Sequence, residues 1–185
     1  MDEALDAAMQ AFWAKGYEST SLTDLMSATG LHKGSIYQAF GDKHTLFKLA
    51  LRRYLEQIRA EMRSDVESAP SPFEGIRSVG HGMLDNVDSD GSCRGCLAVN
   101  SMVELAPHDA EVKAILDEHL SLDRGLLEEA VAAAQDAGQL SAERRPAIVA
   151  TMIMTFMAGL ATTTKGLIDI DEAHDLFDAQ LDALR

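Results

Sequence analysis

The chain has 185 residues, enough to bury one large core or two small ones, and a net charge of −14. The charge is uneven: residues 1–63 hold eight acids and eight Lys or Arg, and residues 64–185 hold the other 22 acids and eight bases. The first third is therefore the part of the chain best able to approach a polyanion.

Composition and motifs also exclude several classes of protein. The longest apolar stretch, residues 147–161, is interrupted by two Thr and one Gly and is shorter than the roughly 20 residues that a spanning helix needs. We therefore expect a soluble, cytoplasmic protein with no membrane partner. Because nucleotide-loop, nucleophile-elbow and zinc-protease motifs are absent, we also expect no enzyme activity, no cofactor and no metal site.

Apolar spacing, with abundant Ala, Leu, Met and Glu and only four Pro, predicts an all-α chain of nine helices. The Ala69-Pro70-Ser71-Pro72 break separates the long fourth helix from the fifth. We expect two domains, residues 1–48 and 49–185. The expected helices cover residues 2–15, a short pair between 20 and 40, and then 42–68, 73–87, 96–106, 109–137, 141–165 and 172–184.

The short pair of helices has the form of a helix-turn-helix. Thr20 is a plausible N-cap for the first helix, and Gly30 can take the left-handed conformation that a sharp exit demands. Ile36 and Phe40, four residues apart, form the inner face of the second helix. The opposite face has donors, acceptors and one ring but no acid: His32, Lys33, Ser35, Tyr37 and Gln38. That composition suits a helix lying against phosphates and base edges.

The sequence from Lys15 to Phe47 closely resembles the DNA-binding domain of TetR/AcrR-type transcriptional regulators. The family pattern ends helix 1 with F-x-x-x-G-[YF], has a Thr before helix 2, and continues with an A-G-[VL] turn and a K-G-x-[IL]-Y-x-x-F recognition helix followed by x-x-K. The one departure is Thr29, where the family usually has Ala. The matching residues are Phe12, Gly16, Tyr17, Thr20, Gly30, Leu31, residues 33–40 and Lys43.

The resemblance implies a double-stranded DNA operator and a homodimer that pairs through its last two helices. Tyr37, Lys43 and Thr20 resemble the family's phosphate contacts, with Ser21 a further candidate beside Thr20. His32 either touches a phosphate or is a solvated helix start. Three residues of the second helix are best placed for base edges or nearby phosphates: Lys33, Ser35 and Gln38. A twofold dimer would read a near-palindrome, with its recognition helices about one DNA turn apart.

The second domain is rich in Met, which suits a pocket that adapts to varied apolar ligands. The alternative is that these Met side chains fill irregular gaps in an ordinary core. Three polar residues on partly apolar helices are candidates to orient a ligand, although a lone His is more often part of a core. The candidate effector-binding residues are Met83, Asn100, Met102, Glu104, His119, Met152 and Phe156.

Cys93 and Cys96 are the only two cysteines. In a cytosolic protein a C-x-x-C pair indicates redox or metal chemistry rather than a structural disulfide. Arg94 between the thiols and a helix start at Cys96 would both lower thiol pKa values. The alternatives are zinc binding, for which the spacing makes no case, and two ordinary thiols with Cys96 packed in the core.

The reading that combines these features is a ligand-responsive transcriptional regulator, a repressor, released from a palindromic operator by a small apolar effector. The first alternative keeps the fold and makes Cys93 and Cys96 a redox or electrophile sensor. The second is a dimer that binds small molecules or partners and does not bind DNA.

Overall fold

A computed structural model describes residues 1–85 and 93–185. Over these residues the chain forms nine α-helices, and the predicted all-α class is confirmed. The helices are α1 (Asp2–Lys15), α2 (Leu22–Thr29), α3 (Lys33–Phe40), α4 (Lys43–Ser68), α5 (Pro72–Leu84), α6 (Leu97–Glu104), α7 (Ala110–Asp136), α8 (Pro146–Thr163) and α9 (Ile170–Asp182).

The helices form two compact units. The first unit contains Met1–Gln57 and Leu97–Asp117, and the second contains Ile58–Cys96 and Glu118–Arg185. The long helices α4 and α7 each contribute to both units, and α6 belongs to the first. The predicted boundary after residue 48 follows sequence order, whereas the compact units interleave along the chain.

An aromatic cluster holds the first unit together. The rings of Phe12 and Phe47 meet edge to face, with centroids 5.1 Å apart, and Trp13 meets Tyr54 in the same way at 4.9 Å. Such pairs add about 0.5–1.5 kcal/mol beyond the area that they bury. The cluster packs α1 against α4, the two helices that precede and follow the short helices α2 and α3 in the chain.

The core of the second unit is built from α5, α8 and α9 with the adjoining parts of α4 and α7. Phe73, Ile76 and Phe177 are buried in it. Gly80 allows α5 and α9 to approach closely, since a Cβ at this position would lie 2.1 Å from the Phe177 ring. A side chain at residue 80 would therefore push these two helices apart.

Two predicted helix starts differ in outcome. Asp109 caps α7 as predicted, accepting backbone hydrogen bonds from Glu111 and Val112 at 3.0 Å each. Ser141 does not cap α8, so that prediction is wrong: the helix begins at Pro146 with Arg145 as its N-cap. Proline suits the first helical turn because its φ is already helical and it has no N–H to satisfy.

Helix α8 is shorter than the predicted helix at residues 141–165, because it begins at Pro146 and ends at Thr163. Among the described residues it is the one helix long and apolar enough, by length and composition, to cross a membrane, and 33% of it is buried. A core or interface helix of a soluble protein can have the same length and composition. About two thirds of α8 is thus left uncovered by the rest of the described chain. The predicted end of α5 at residue 87 lies outside the described residues.

Candidate DNA-binding site

Helix α2 begins with a capping box. The Ser21 hydroxyl accepts a hydrogen bond from Asp24 N at 3.1 Å, and the Asp24 carboxylate accepts one from Ser21 N at 2.8 Å. The prediction that Thr20 is the N-cap is wrong. Thr20 is fully buried, and its hydroxyl donates to the Gly16 carbonyl at 2.6 Å. Its side chain faces inward, so Ser21 is the exposed hydroxyl at this helix start.

Asp24 remains ionised because of its neighbours. Hydrogen bonds from the Lys15 ammonium and from Ser21 hold the pKa of this exposed carboxyl far below its usual value. The carboxylate charge lies in the first turn of α2, where its interaction with the positive end of the helix dipole stabilises the helix. The same ion pair engages Lys15, so this lysine is directed toward Asp24.

The turn between α2 and α3 is made by Gly30, which closes α2 in the left-handed region at φ 68°. Helix α3 follows directly, with His32 at its N-cap position. On its inner face Ile36 and Phe40 are buried as predicted. Since these two apolar anchors fix the rotation of α3, they also determine which side chains point outward.

The outer face of α3 brings together the predicted contact residues. His32, Lys33, Ser35, Tyr37 and Gln38 are all exposed, and none carries a negative charge. The Lys33 ammonium lies 5.7 Å from the centre of the Tyr37 ring. The face thus presents hydrogen-bond donors and acceptors on a helix with a net positive charge, as a major-groove reading element requires.

Lys43 stands apart from that face, at the start of α4. Its ammonium lies 4.4 Å from the centre of the Tyr17 ring and 3.5 Å from the Glu18 carbonyl oxygen. Burial, followed by the nearby Glu18, Asp42 and Asp109 carboxylates, raises the pKa of Tyr17. The phenol therefore stays neutral, and Lys43 is held beside the turn that joins α1 to α2.

The same turn has a partner that the sequence did not reveal. The Glu104 carboxylate accepts hydrogen bonds from Tyr17 N at 3.0 Å and Glu18 N at 2.9 Å. Glu104 was predicted to orient a ligand, but its carboxylate is used to bind this backbone. No local pattern marks the contact, because the partners are main-chain atoms 86 and 87 residues away.

The structure does not gather the remaining predicted effector residues into one cavity. Met102 is 41% exposed on α6, and Asn100 is partly buried on the same helix. Met83, Met152 and Phe156 are partly buried against the core of the second unit. The last two also line an open apolar groove along α8 and α9, together with Ile148, Thr151, Thr155, Gly159, Leu160, Thr163, Leu167, Ile168, Leu176 and Gln180.

His119 belongs to a buried polar group in the second unit. Nε of Arg59 donates a hydrogen bond to Oδ1 of Asp123 at 2.7 Å. Nη2 of the same guanidinium lies 2.8 Å from Nδ1 of His119. Burial raises the pKa of Asp123 and outweighs the lowering effect of Arg59. Arg59 also lines a cleft of about 800 Å³ between α4 and α7.

Cys93 and Cys96 are not joined by a disulfide; Cys96 is buried and Cys93 is partly buried. Cys93 Sγ lies 3.3 Å from the Thr164 hydroxyl and accepts a hydrogen bond from Gly95 N at 3.4 Å. Gly95, at φ 65°, fits tightly: a Cβ there would lie 2.5 Å from the Ala161 carbonyl oxygen. Over the described ranges no three His, Cys, Asp or Glu side chains are grouped to hold a metal ion.

A capped helix followed across a glycine turn by an exposed, acid-free helix, with a second helical unit in the same chain, is typical of helix-turn-helix transcriptional regulators. Residues 4–50 match the profile of bacterial regulatory proteins of the tetR family, and residues 72–179 match that of the tetracyclin repressor-like C-terminal domain. The chain therefore belongs to the TetR family. Its members are DNA-binding transcriptional regulators.

Individual relatives are similar in sequence, and a solved structure of one TetR-family regulator has the same fold. The chain is 28% identical to the transcriptional regulator YezE of Bacillus subtilis, over 97% of this chain and 93% of that protein. It is 29% identical to the repressor ComR of Escherichia coli, over 75% and 67%. A structure of the TetR-family regulator CifR, a cysteine mutant in complex with 26-bp operator DNA, superposes with a TM-score of 0.85 at 30% identity, covering 100% of this chain and 96% of that one.

Proposed function

We propose that this chain is a homodimeric repressor that binds a near-palindromic operator and is released by a small apolar effector in its second unit. The observation that carries the DNA-binding part is the exposed face of α3, which combines donors and acceptors with an absence of acids. Relatives such as ComR are repressors, and CifR is found on operator DNA. The proposed location is the cytoplasm, where such an operator is accessible.

The groove along α8 and α9 supports the homodimer. It is almost entirely apolar, and its rim exposes Ile148, Leu167 and Leu176 by 43%, 77% and 41%. An apolar surface of this kind on a soluble protein marks an interaction site. In a twofold dimer this groove would face the same groove of the partner subunit, and both surfaces are apolar. Pairing would therefore cover the apolar side chains of α8 that one subunit leaves exposed.

A charge inside the groove tests the dimer. Thr155 lines the groove, and T155R places a guanidinium there without disturbing the core. Ser64 is exposed on α4, away from α8 and outside the groove lining, so S64R is the control. Analytical ultracentrifugation should show a dimer for the parent chain and S64R and a monomer for T155R. A dimeric T155R would contradict the pairing.

For the effector, the cleft between α4 and α7 is the best supported place. Its walls are mostly apolar, including Val66, Leu122, Leu126 and Ala130, and its polar rim includes Arg59 and Arg63. His119, one of the predicted effector residues, contacts Arg59 and so lies next to the cleft. An apolar molecule with one polar end fits that lining.

Helix α4 contributes to both the cleft and the unit that contains α3, so a change at the cleft can affect DNA binding. It is one uninterrupted helix of 26 residues, about 39 Å long at 1.5 Å per residue, with Arg59 and Arg63 in the cleft and Lys43 at its other end. A ligand that prefers an altered position of α4 by a hundredfold shifts the equilibrium by about 2.7 kcal/mol. In the altered position of α4, the two recognition helices of a dimer would no longer fit successive major grooves.

Filling the cleft tests this assignment. Gly125 lines the cleft, and nothing lies within 4 Å of a Cβ built there, so G125F places a ring in the space and G125A is the backbone control. A library of apolar compounds, scored by the rise in unfolding temperature and then by operator release, supplies the ligand. G125F should bind operator but resist release. Equal release of G125F and G125A would place the effector elsewhere.

The thiol sensor remains a second candidate because of the contacts at Cys93. The Cys93 sulfur is partly buried, accepts a hydrogen bond from Gly95 N, and lies three residues before the buried Cys96. Diamide should then abolish operator binding, reductant should restore it, and the C93S/C96S double variant should ignore both. A diamide effect that persists in C93S/C96S would exclude this pair. The third possibility, a dimer without DNA binding, is not retained, because the predicted contact residues of α3 are all exposed and members of the family are DNA-binding regulators.

A further inference from the structure

The turn between α1 and α2 is held from two sides. On one side Glu104, the last residue of α6, accepts both successive backbone N–H groups, those of Tyr17 and Glu18. On the other side the Lys43 ammonium lies over the Tyr17 ring and 3.5 Å from the Glu18 carbonyl oxygen. The turn therefore lies between a carboxylate and an ammonium, both within the first unit.

Glu104 is close-fitting in this position. Gly16 precedes the two N–H groups at φ 80°, and a Cβ at Gly16 would lie 3.0 Å from Glu104 Oε2. Two hydrogen bonds to one ionised acceptor are stronger than neutral ones and fix the direction of the turn. The absence of a side chain at residue 16 leaves the carboxylate room to reach both groups.

What the turn positions is the start of α2. The Thr20 hydroxyl returns to the Gly16 carbonyl at 2.6 Å, which buries Thr20 and leaves Ser21 exposed as the N-cap. A helix N-terminus with an exposed hydroxyl is suited to a backbone phosphate. Displacement of the turn would move this N-terminus and Lys43 together.

We propose that Glu104 is a positioning residue for operator binding, which it improves although it adds a negative charge to the DNA-binding unit. Simple electrostatics predicts the opposite sign, since removing an acid near a polyanion strengthens binding. The direction in which operator affinity changes when Glu104 is replaced therefore distinguishes positioning from electrostatic repulsion. The proposal depends on DNA binding and not on the effector or the dimer face.

The variants E104Q and E104A test it, with E56Q as the control for loss of one acid. Gln keeps one acceptor and loses the second, and Ala loses both; Glu56 is exposed on α4 in the same unit. The full-length proteins are titrated against the duplex upstream of the chain's own gene and against a scrambled duplex of equal length. Operator Kd should rise about tenfold in E104A and by an intermediate factor in E104Q. On the scrambled duplex, where no single register has to be held, both variants should lose less affinity than on the operator, and E56Q should bind both duplexes equally or more tightly.

Loss of fold is distinguished from loss of positioning by two further readouts. Stoichiometric titration gives the fraction of protein that can bind DNA, and Kd is calculated from that active fraction alone. If E104A is unfolded at the assay temperature, the operator Kd of E104Q is the value that tests the proposal. The salt slope of operator binding should change by no more than about one per subunit, because Lys43 is the phosphate-contacting cation beside the displaced turn. Operator binding by E104Q that is unchanged or tighter, or a parallel weakening on both duplexes, would overturn the proposal.

Discussion

Nε of Arg59 lies 2.7 Å from Oδ1 of Asp123, a carboxylate that is 4% exposed. The pair couples α4 to α7 beside the proposed effector cleft. Desolvation is the largest influence on Asp123 and raises its pKa even with the guanidinium in contact. A buried pair of this kind contributes little net stability while strongly penalising removal of one partner.

The raised pKa of Asp123 predicts a pH-dependent stability. Between the unfolded value, near 3.9, and the raised folded value, the folded chain binds a proton that the unfolded chain has released. The free energy of unfolding should therefore fall as pH rises through this window. D123N lacks that contribution, so the advantage of the parent chain over D123N should shrink with rising pH.

Urea unfolding at one protein concentration, from pH 4 to 7, measures this advantage. E118Q removes one exposed acid from the same helix and controls for a change in net charge. An advantage that grows with pH would mean that Arg59, and not burial, controls the pKa of Asp123.

The capping box predicts a local loss of stability. S21A removes the hydroxyl that accepts from Asp24 N, and should lower the free energy of unfolding by about 1 kcal/mol. S64A alters an exposed serine within α4 and should stay within about 0.5 kcal/mol of the parent. Equal effects of the two variants, measured by urea unfolding, would show that Ser21 does not cap α2.

Two glycines of the helix-turn-helix should respond in opposite directions. G30A forces a Cβ into the left-handed region and should destabilise the chain by about 1 kcal/mol. Gly34 lies within α3, with nothing inside 4 Å of a Cβ, so G34A should raise stability by up to about 1 kcal/mol. G34A should nonetheless weaken operator binding if α3 approaches the duplex closely there. A G34A variant that is both more stable and equally tight would show that residue 34 is away from DNA.

Lys33 and Gln38 should differ in the kind of DNA binding that they support. K33A should weaken binding to all duplexes and reduce the salt slope by about one per subunit. Q38A should cost about 1–3 kcal/mol on the operator and relax preference at one position of each half-site. Binding to a set of single-base operator variants at several salt concentrations separates the two. A Q38A loss that is the same on every duplex would remove Gln38 from base readout.

Local chemistry explains what could be predicted from the sequence. The exposed face of α3 follows from Ile36 and Phe40, because four-residue spacing fixes the helix rotation. Asp109 caps α7 as expected, since a helix start depends on nearby atoms. Ser21 could also have been found: the capping box needs an acid three residues later, and Asp24 meets that condition for Ser21 and not for Thr20.

The misses have a different physical origin. Ser141 has the right chemistry for a cap, but Pro146 fixes where the backbone can turn helical. Glu104 is distant in sequence from the atoms that it contacts, and those atoms are backbone groups that every residue has. Composition suggested one Met-rich cavity; packing instead distributes those Met residues among the surface of α6, the core of the second unit and the α8–α9 groove.

The central claim is that two α3 helices of a dimer read adjacent half-sites. Hydroxyl-radical footprinting of the parent chain on the duplex upstream of its own gene, across a range of salt concentrations, tests it most directly. We expect two protected segments related by a twofold axis, centred about 10–10.5 base pairs apart, that disappear together as salt rises. Protection of a single unpaired segment, or no protection at the lowest salt, would contradict the claim.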